Sequence, residues 1–119
     1  MSIDLSAMFG LQGKTAVITG GGGDLCSALA LAISGAGARV AILDIRLDKA
    51  QAVAAAVTGA GGTAAAYACD VLDEKSLRSV YDAICASWGK PDILLNGAGG
   101  NVSSGSTKLE FLDRALLDD

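Results

Sequence analysis

Residues 14–26 read K-T-A-V-I-T-G-G-G-G-D-L-C, and the rest of the chain is organised around them. Lys14 to Thr19 has the make-up of a short apolar strand. Four glycines follow, Gly20, Gly21, Gly22 and Gly23, and then Asp24, Leu25 and Cys26 open a helical pattern. A strand that ends in glycines and starts a helix is the layout of a dinucleotide phosphate site. Glycine lets the backbone turn sharply and come close to a ligand. The first N–H groups of the helix then face the pyrophosphate, whose negative charge the helix dipole favours. The spacing differs from the common G-x-G-x-x-G, so this stretch alone also fits an ordinary flexible turn.

The 119 residues amount to one domain at most. Abundant apolar residues, 16 glycines and a single proline suit a compact α/β domain with many tight turns. The net charge is −4 with no basic cluster, which argues against nucleic acid as a partner. No apolar run approaches the ~18 residues that span a bilayer. The N-terminal M-S-I-D-L-S-A-M-F-G has no basic region before an apolar core, so a cytoplasmic protein is expected. The absence of histidine excludes a Ser-His-Asp triad, a Cys-His pair and a histidine-bound metal within these residues. Cys26, Cys69 and Cys85 lack zinc-ligand spacing and stand in apolar surroundings, as buried thiols do.

Outward from the glycine run, the pattern alternates strand and helix. Phe9 and Leu11 would pack a short leader onto the domain. Gly13-Lys14-Thr15 matches the tail of a P-loop but precedes its strand, and Met8 stands where the first glycine would be needed. A helix is expected over about Asp24 to Ser34, with Leu25, Leu29 and Ile33 inward and Cys26 and Ala30 widening that face. Gly35 and Gly37 end it. Strand two, Arg39 to Leu43, is almost wholly apolar, as in a parallel strand covered on both sides. Asp44 closes it. An acid at about this interval from a glycine loop can bond a ribose hydroxyl pair, and it would repel a 2′-phosphate. Capping the next helix is the other use of such an aspartate. NAD is thus favoured over NADP, although Arg46 could accommodate the phosphate.

A second helix is expected over about Leu47 to Val57, with Ala50, Val53, Ala54 and Val57 inward. Thr58 to Gly62 forms the turn, and Thr63 to Ala68 the third strand. The third helix, about Asp73 to Trp88, carries one stripe of Leu77, Val80, Tyr81, Ile84, Cys85 and Trp88. Gly89 and Pro91 stop it. Strand four, Asp92 to Leu95, runs into a second glycine turn, Asn96 to Asn101. Both glycine turns then fall on one edge of the sheet, in the strand order 3-2-1-4. Residues 102–119 begin polar, with Ser103, Ser104 and Ser106 read as a solvated loop. They continue as an amphipathic helix with Leu109, Leu112 and Leu116 on one face.

G-K-T-A-V-I-T-G at 13–20, Asp44, C-D-V at 69–71 and N-G-A-G at 96–99 together resemble the N-terminal half of a short-chain dehydrogenase/reductase. The resemblance covers about residues 9–101. It implies a Rossmann-like doubly wound parallel α/β sheet and an NAD-dependent oxidoreductase acting on a small-molecule alcohol or carbonyl. By it, the loop Gly20, Gly22, Gly23, Asp24 and Leu25 would hold the pyrophosphate. Asp44, with Arg46 nearby, would meet the adenosine ribose, and Asp70 and Val71 the adenine. Asn96, Gly97, Ala98 and Gly99 would lie along the cofactor, Asn96 also bracing the central strands. T-G-G-G-G-x-L with N-G-A-G-G-N is similar to the sugar-acid oxidoreductases of the mannonate/fructuronate kind.

Two departures stand out. Asp24 and Cys26 replace the last two glycines of the family's first loop; Asp24 would have to turn away and cap the helix, and Cys26 adds bulk. The family's catalytic serine and Tyr-x-x-x-Lys have no counterpart, since Val71 and Cys85 stand four residues after Tyr67 and Tyr81. Residues 1–119 are therefore expected to be a truncated cofactor-binding half, with 102–119 starting a substrate-side segment, and to be inactive alone. The unpaired edge of strand four would favour a homo-oligomer. The alternatives are a non-catalytic nucleotide-binding module and a fragment that binds no nucleotide and associates through that edge.

Overall fold

The computed structural model describes residues 10–97. Four parallel strands, β1 (Thr15–Thr19), β2 (Arg39–Asp44), β3 (Thr63–Ala68) and β4 (Ile93–Asn96), form one sheet in the order β3-β2-β1-β4. Helices α1 (Asp24–Gly35), α2 (Leu47–Gly59) and α3 (Glu74–Trp88) make the crossovers. This is the expected Rossmann-like arrangement in the expected strand order.

Alternation along the strands divides the core into two layers. Ile18, Val40 and Ile42 pack with Cys26 and Ala30 of α1 and Ala50, Val53 and Val57 of α2. Val17, Ala41 and Leu43 face the other way, against Cys69 and Val80 and Ile84 of α3. Because both sides of β1 and β2 are covered, these strands carry apolar residues in succession rather than in alternation with polar ones. Helices on both faces make the sheet doubly wound. No helix among the described residues is long and apolar enough to cross a membrane.

The sheet is locked in register at its lower edge. Asp92 N–H donates to the Thr15 carbonyl, and Thr15 N–H returns a bond to Asp92 Oδ2, both at 2.9 Å. Arg39 donates from Nη2 to the Trp88 carbonyl at 3.2 Å and lies 5.8 Å from the centre of the Trp88 ring. The cation thus complements the negative end of α3. Trp88 is a packing residue, as its stripe implied.

Three expectations need correction. The inner face of α1 is Cys26, Ala30 and Ile33, whereas Leu29 is exposed and Leu25 is 75% exposed. Both patterns satisfy helical spacing; the small residues face the strands because the helix lies close to the sheet. In α3 only Val80 and Ile84 are buried, while Leu77 and Tyr81 at the margin of the stripe are exposed. Cys26 and Cys69 are buried, but Cys85 is only half-buried. Phe9, the predicted helix with Leu109, Leu112 and Leu116, and the serines of its preceding loop lie outside the described residues.

Candidate functional site

All four strands run the same way, so Thr19, Asp44, Ala68 and Asn96 end at one edge of the sheet. Strand order reverses between β1 and β4, and such a point leaves a crevice at the carboxyl ends of the strands. The first glycine loop fills one side of it. Gly20, with φ +64°, turns the chain out of β1. Gly21 N–H donates to the Leu43 carbonyl at 3.0 Å, and Gly22 N–H to Asp44 Oδ2 at 3.1 Å. A Cβ on Gly22 would lie 2.6 Å from Lys49 Cβ and 2.8 Å from Asp44 Oδ2. The loop therefore sits flush on the end of β2 and the first turn of α2, and only glycine fits there.

Helix α1 starts at Asp24 with Gly23 in the N-cap position, and no side chain caps its first N–H groups. Its leading N–H groups are thus left to solvent or to an anion. Asp24 does not cap the helix, contrary to the condition expected of it. Its carboxylate is an exposed first-turn acid, which the dipole favours but which competes with any anion bound there. Leu25 is exposed beside it.

Asp44 ties together two backbone groups of the site. Besides Oδ2 on Gly22, its Oδ1 accepts from Arg46 N–H at 2.9 Å. Each oxygen keeps a further lone pair for a hydroxyl donor. The Arg46 side chain turns along α2 to pair with Asp48 at 3.5 Å, both groups being well exposed. Sequence reasoning missed Asp48 and Lys49; their i+2 and i+3 positions after Arg46 at a helix start were the available signal.

At the end of β3, Cys69 N–H donates to the Asp44 carbonyl at 3.0 Å, which ties the two strand ends together. Asp70 then closes a turn, its Oδ1 accepting from Leu72 N–H at 3.0 Å, while its own N–H donates to Ser76 Oγ at 3.1 Å. Ser76 is a second missed residue. Val71 is half-buried, and Leu72 beside it is 94% exposed.

On the far side of β1, Asn96 pairs in register with Thr19, whose hydroxyl donates to Asn96 Oδ1 at 3.4 Å. Gly97 N–H donates to the Thr19 carbonyl at 2.9 Å. A Cβ on Gly97 would collide with Cys26 Sγ and with the Thr19 carbonyl. The extra bulk of Cys26 is thereby taken up by the missing side chain of Gly97, and helix and strand stay close. Ala98 and Gly99 lie outside the described residues.

On the α3 face of the sheet, a cavity of about 460 Å³ opens between α3 and β4 and reaches Thr19, lined mainly by apolar side chains including Leu77, Tyr81, Pro91 and Leu94. The Cys85 thiol, through its hydrogen bond, raises the Tyr81 phenol above its ordinary pKa. A phenol so shifted stays protonated at neutral pH. Among the described residues, no group of three His, Cys, Asp or Glu side chains could hold a metal ion.

A glycine loop, a helix start with no side-chain cap and a carboxylate at the next strand end coincide in one crevice. A sequence model of the short chain dehydrogenases matches residues 14–117. The chain belongs to that family. This short-chain dehydrogenase chain is 50% identical over 105 residues to an uncharacterized oxidoreductase, UxuB, of Bacillus subtilis, which covers 88% of the chain and 38% of that protein. D-threitol dehydrogenase of Mycolicibacterium smegmatis is 39% identical over 99 residues, covering 83% of the chain and 37% of the relative. Among solved structures, one from Haemophilus influenza, provisionally described as a D-mannonate oxidoreductase and holding bound NAD, superimposes with a TM-score of 0.77. It is 38% identical, across 93% of this chain and 40% of that one. The chain spans well under half the length of each of these relatives.

Proposed function

We propose that this short-chain dehydrogenase chain is the NAD-binding part of an oxidoreductase that moves a hydride between nicotinamide and an alcohol or carbonyl, a sugar acid being the favoured substrate. The observation that carries it is the Asp44 carboxylate at the mouth of the glycine loop, bonded to Gly22 N–H at 3.1 Å. It sets an anion beside the place where the adenosine ribose would lie and beside an anion-favouring helix start. A vicinal diol can donate to its spare lone pairs, whereas a 2′-phosphate would meet like charge.

The residues present fit a dinucleotide. The first turn of α1 has no side-chain cap, and a Cβ on Gly23 would meet nothing nearer than the Gly20 carbonyl at 3.5 Å, so this side of the loop is open. Gly20, Gly22, Gly23, Asp24 and Leu25 would surround the pyrophosphate. Asp70 and Val71 would border the adenine, and Asn96 to Gly99 would follow the cofactor toward β4. When bound, the nicotinamide supplies the hydride acceptor or donor, and the chain's part is to bind and orient it. The NAD-bound Haemophilus structure and its mannonate description support cofactor and substrate class.

In this reading residues 1–119 form one cofactor-binding domain, with 102–119 leading into the substrate side. The protein works in the cytoplasm as a homo-oligomer, for which the argument is that β4 is the sheet edge among the described residues. A second reading, nucleotide binding without hydride transfer, draws on the sequence, where neither tyrosine is followed four residues on by lysine. Titration with NAD and NADP, with and without Asp44→Ala, tests the binding. The variant should lose about tenfold in NAD affinity, as for a charged hydrogen bond, and narrow its preference over NADP. Unchanged affinity for both would sink the ribose role. Turnover of sugar acids by the intact protein separates the two readings.

A further inference from the structure

Resting on that cofactor reading, we infer that Asp44 is also a positioning residue for the pyrophosphate loop, holding it in its binding shape before any ribose arrives. Three contacts seat the loop on β2 and α2: Gly21 N–H on the Leu43 carbonyl at 3.0 Å, Gly22 N–H on Asp44 Oδ2 at 3.1 Å, and the close approach of Gly22 to Lys49. The first is backbone to backbone and does not depend on the Asp44 side chain. The third is steric and only limits approach. Among the described residues, the Asp44 bond is the hydrogen bond that a side chain supplies to the loop.

That side chain is itself held. Oδ1 accepts Arg46 N–H at 2.9 Å, which fixes the carboxylate plane at the start of α2 and points Oδ2 at the loop. The Asp44 carbonyl meanwhile receives Cys69 N–H at 3.0 Å, so the strand end that carries it is anchored on both sides. A charge-assisted bond to a backbone N–H is stronger than a neutral one. It holds Gly22 back against β2 and sets where the N–H groups beyond Gly23 emerge. Preorganised donors bind an anion without the cost of first being ordered.

A ribose-only role and a positioning role differ in what happens when the ribose hydroxyls are absent. The experiment compares ADP with 2′,3′-dideoxy-ADP on the intact protein, wild type and Asp44→Ala, by calorimetry. Amide hydrogen exchange at Gly22 is read by NMR, with Val57 of the core as reference. Positioning predicts that dideoxy-ADP still loses about tenfold, equal to about 1.4 kcal/mol, on removal of the carboxylate. It also predicts that Gly22 exchange quickens at least tenfold while Val57 stays protected. If dideoxy-ADP binds both proteins equally, or Gly22 exchange is unchanged, Asp44 serves the ribose alone and the inference falls. Faster exchange at Val57 as well would mean global loosening and would overturn it too. Should Asp44→Ala not fold, Asp44→Val, which suits a strand end and has no acceptor oxygen, is held to the same criteria. Failure of the wild type to bind ADP would defeat the cofactor reading itself, a result distinct from the others.

Discussion

The two flanks of β1 are built differently. Toward β2 the strand ends are tied together by hydrogen bonds: Gly21 on Leu43, Gly22 and Arg46 on Asp44, Cys69 on the Asp44 carbonyl. Ile18 and Ile42 below it are fully buried. Toward β4 the strand is the sheet edge among the described residues, Leu94 is 60% exposed, and the cavity against α3 stands open. The contrast teaches that the flank proposed to hold the adenosine half of the cofactor is built largely from local structure. Its strand, loop, helix and next strand end are consecutive in the chain. The flank proposed for the nicotinamide side draws on β4, whose Asn96 lies 77 residues from its Thr19 partner.

The largest effect should come from cutting into the closed flank. Ile42→Ala is expected to cost about 2–5 kcal/mol, by transfer and by the cavity it leaves, whereas Leu94→Ala should cost under about 1 kcal/mol. Equal urea midpoints for the two would erase the distinction. Next comes Gly22→Ala. Its Cβ would meet Lys49 Cβ and Asp44 Oδ2, so the loop must lift away, at about 1–3 kcal/mol of stability. NAD affinity should drop more than tenfold in the same titration that tests Asp44→Ala. Wild-type affinity in that variant would show that the loop's seat on α2 is dispensable.

The smallest expected change sharpens the polar rim. Asp48→Asn releases Arg46 from an exposed pair worth about 0–1 kcal/mol. NADP affinity should rise about threefold, with NAD affinity unchanged. An equal rise for both nucleotides would mean that Asp48 acts by general charge, without steering Arg46.

Much of this was legible before any coordinates. The helical face Ala50, Val53 and Val57 and the buried run of β2 follow from spacing alone, because a parallel strand covered on both sides must be apolar throughout. The two faces of α1 were not separable that way. Leu25 and Leu29 obey the same period as Cys26 and Ala30, and hydrophobicity favours the leucines. Close packing on the sheet favours the smaller pair, and that preference exists only once the strands are in place.

The same division runs through the site. Periodicity along the chain was enough to place the strands, the glycine turns that follow β1 and β4 and the acid at the end of β2, while the strand order came from the rule that such glycine loops meet at the carboxyl edge of an open α/β sheet. Tertiary structure alone decided that Gly22 rests on Lys49, that Asp44 holds the loop as well as its own turn, and that Cys26 fits because Gly97 has no side chain. Each is a contact between residues at least 22 positions apart, set by how helices settle on the sheet. Spacing along the chain carries no record of such distances.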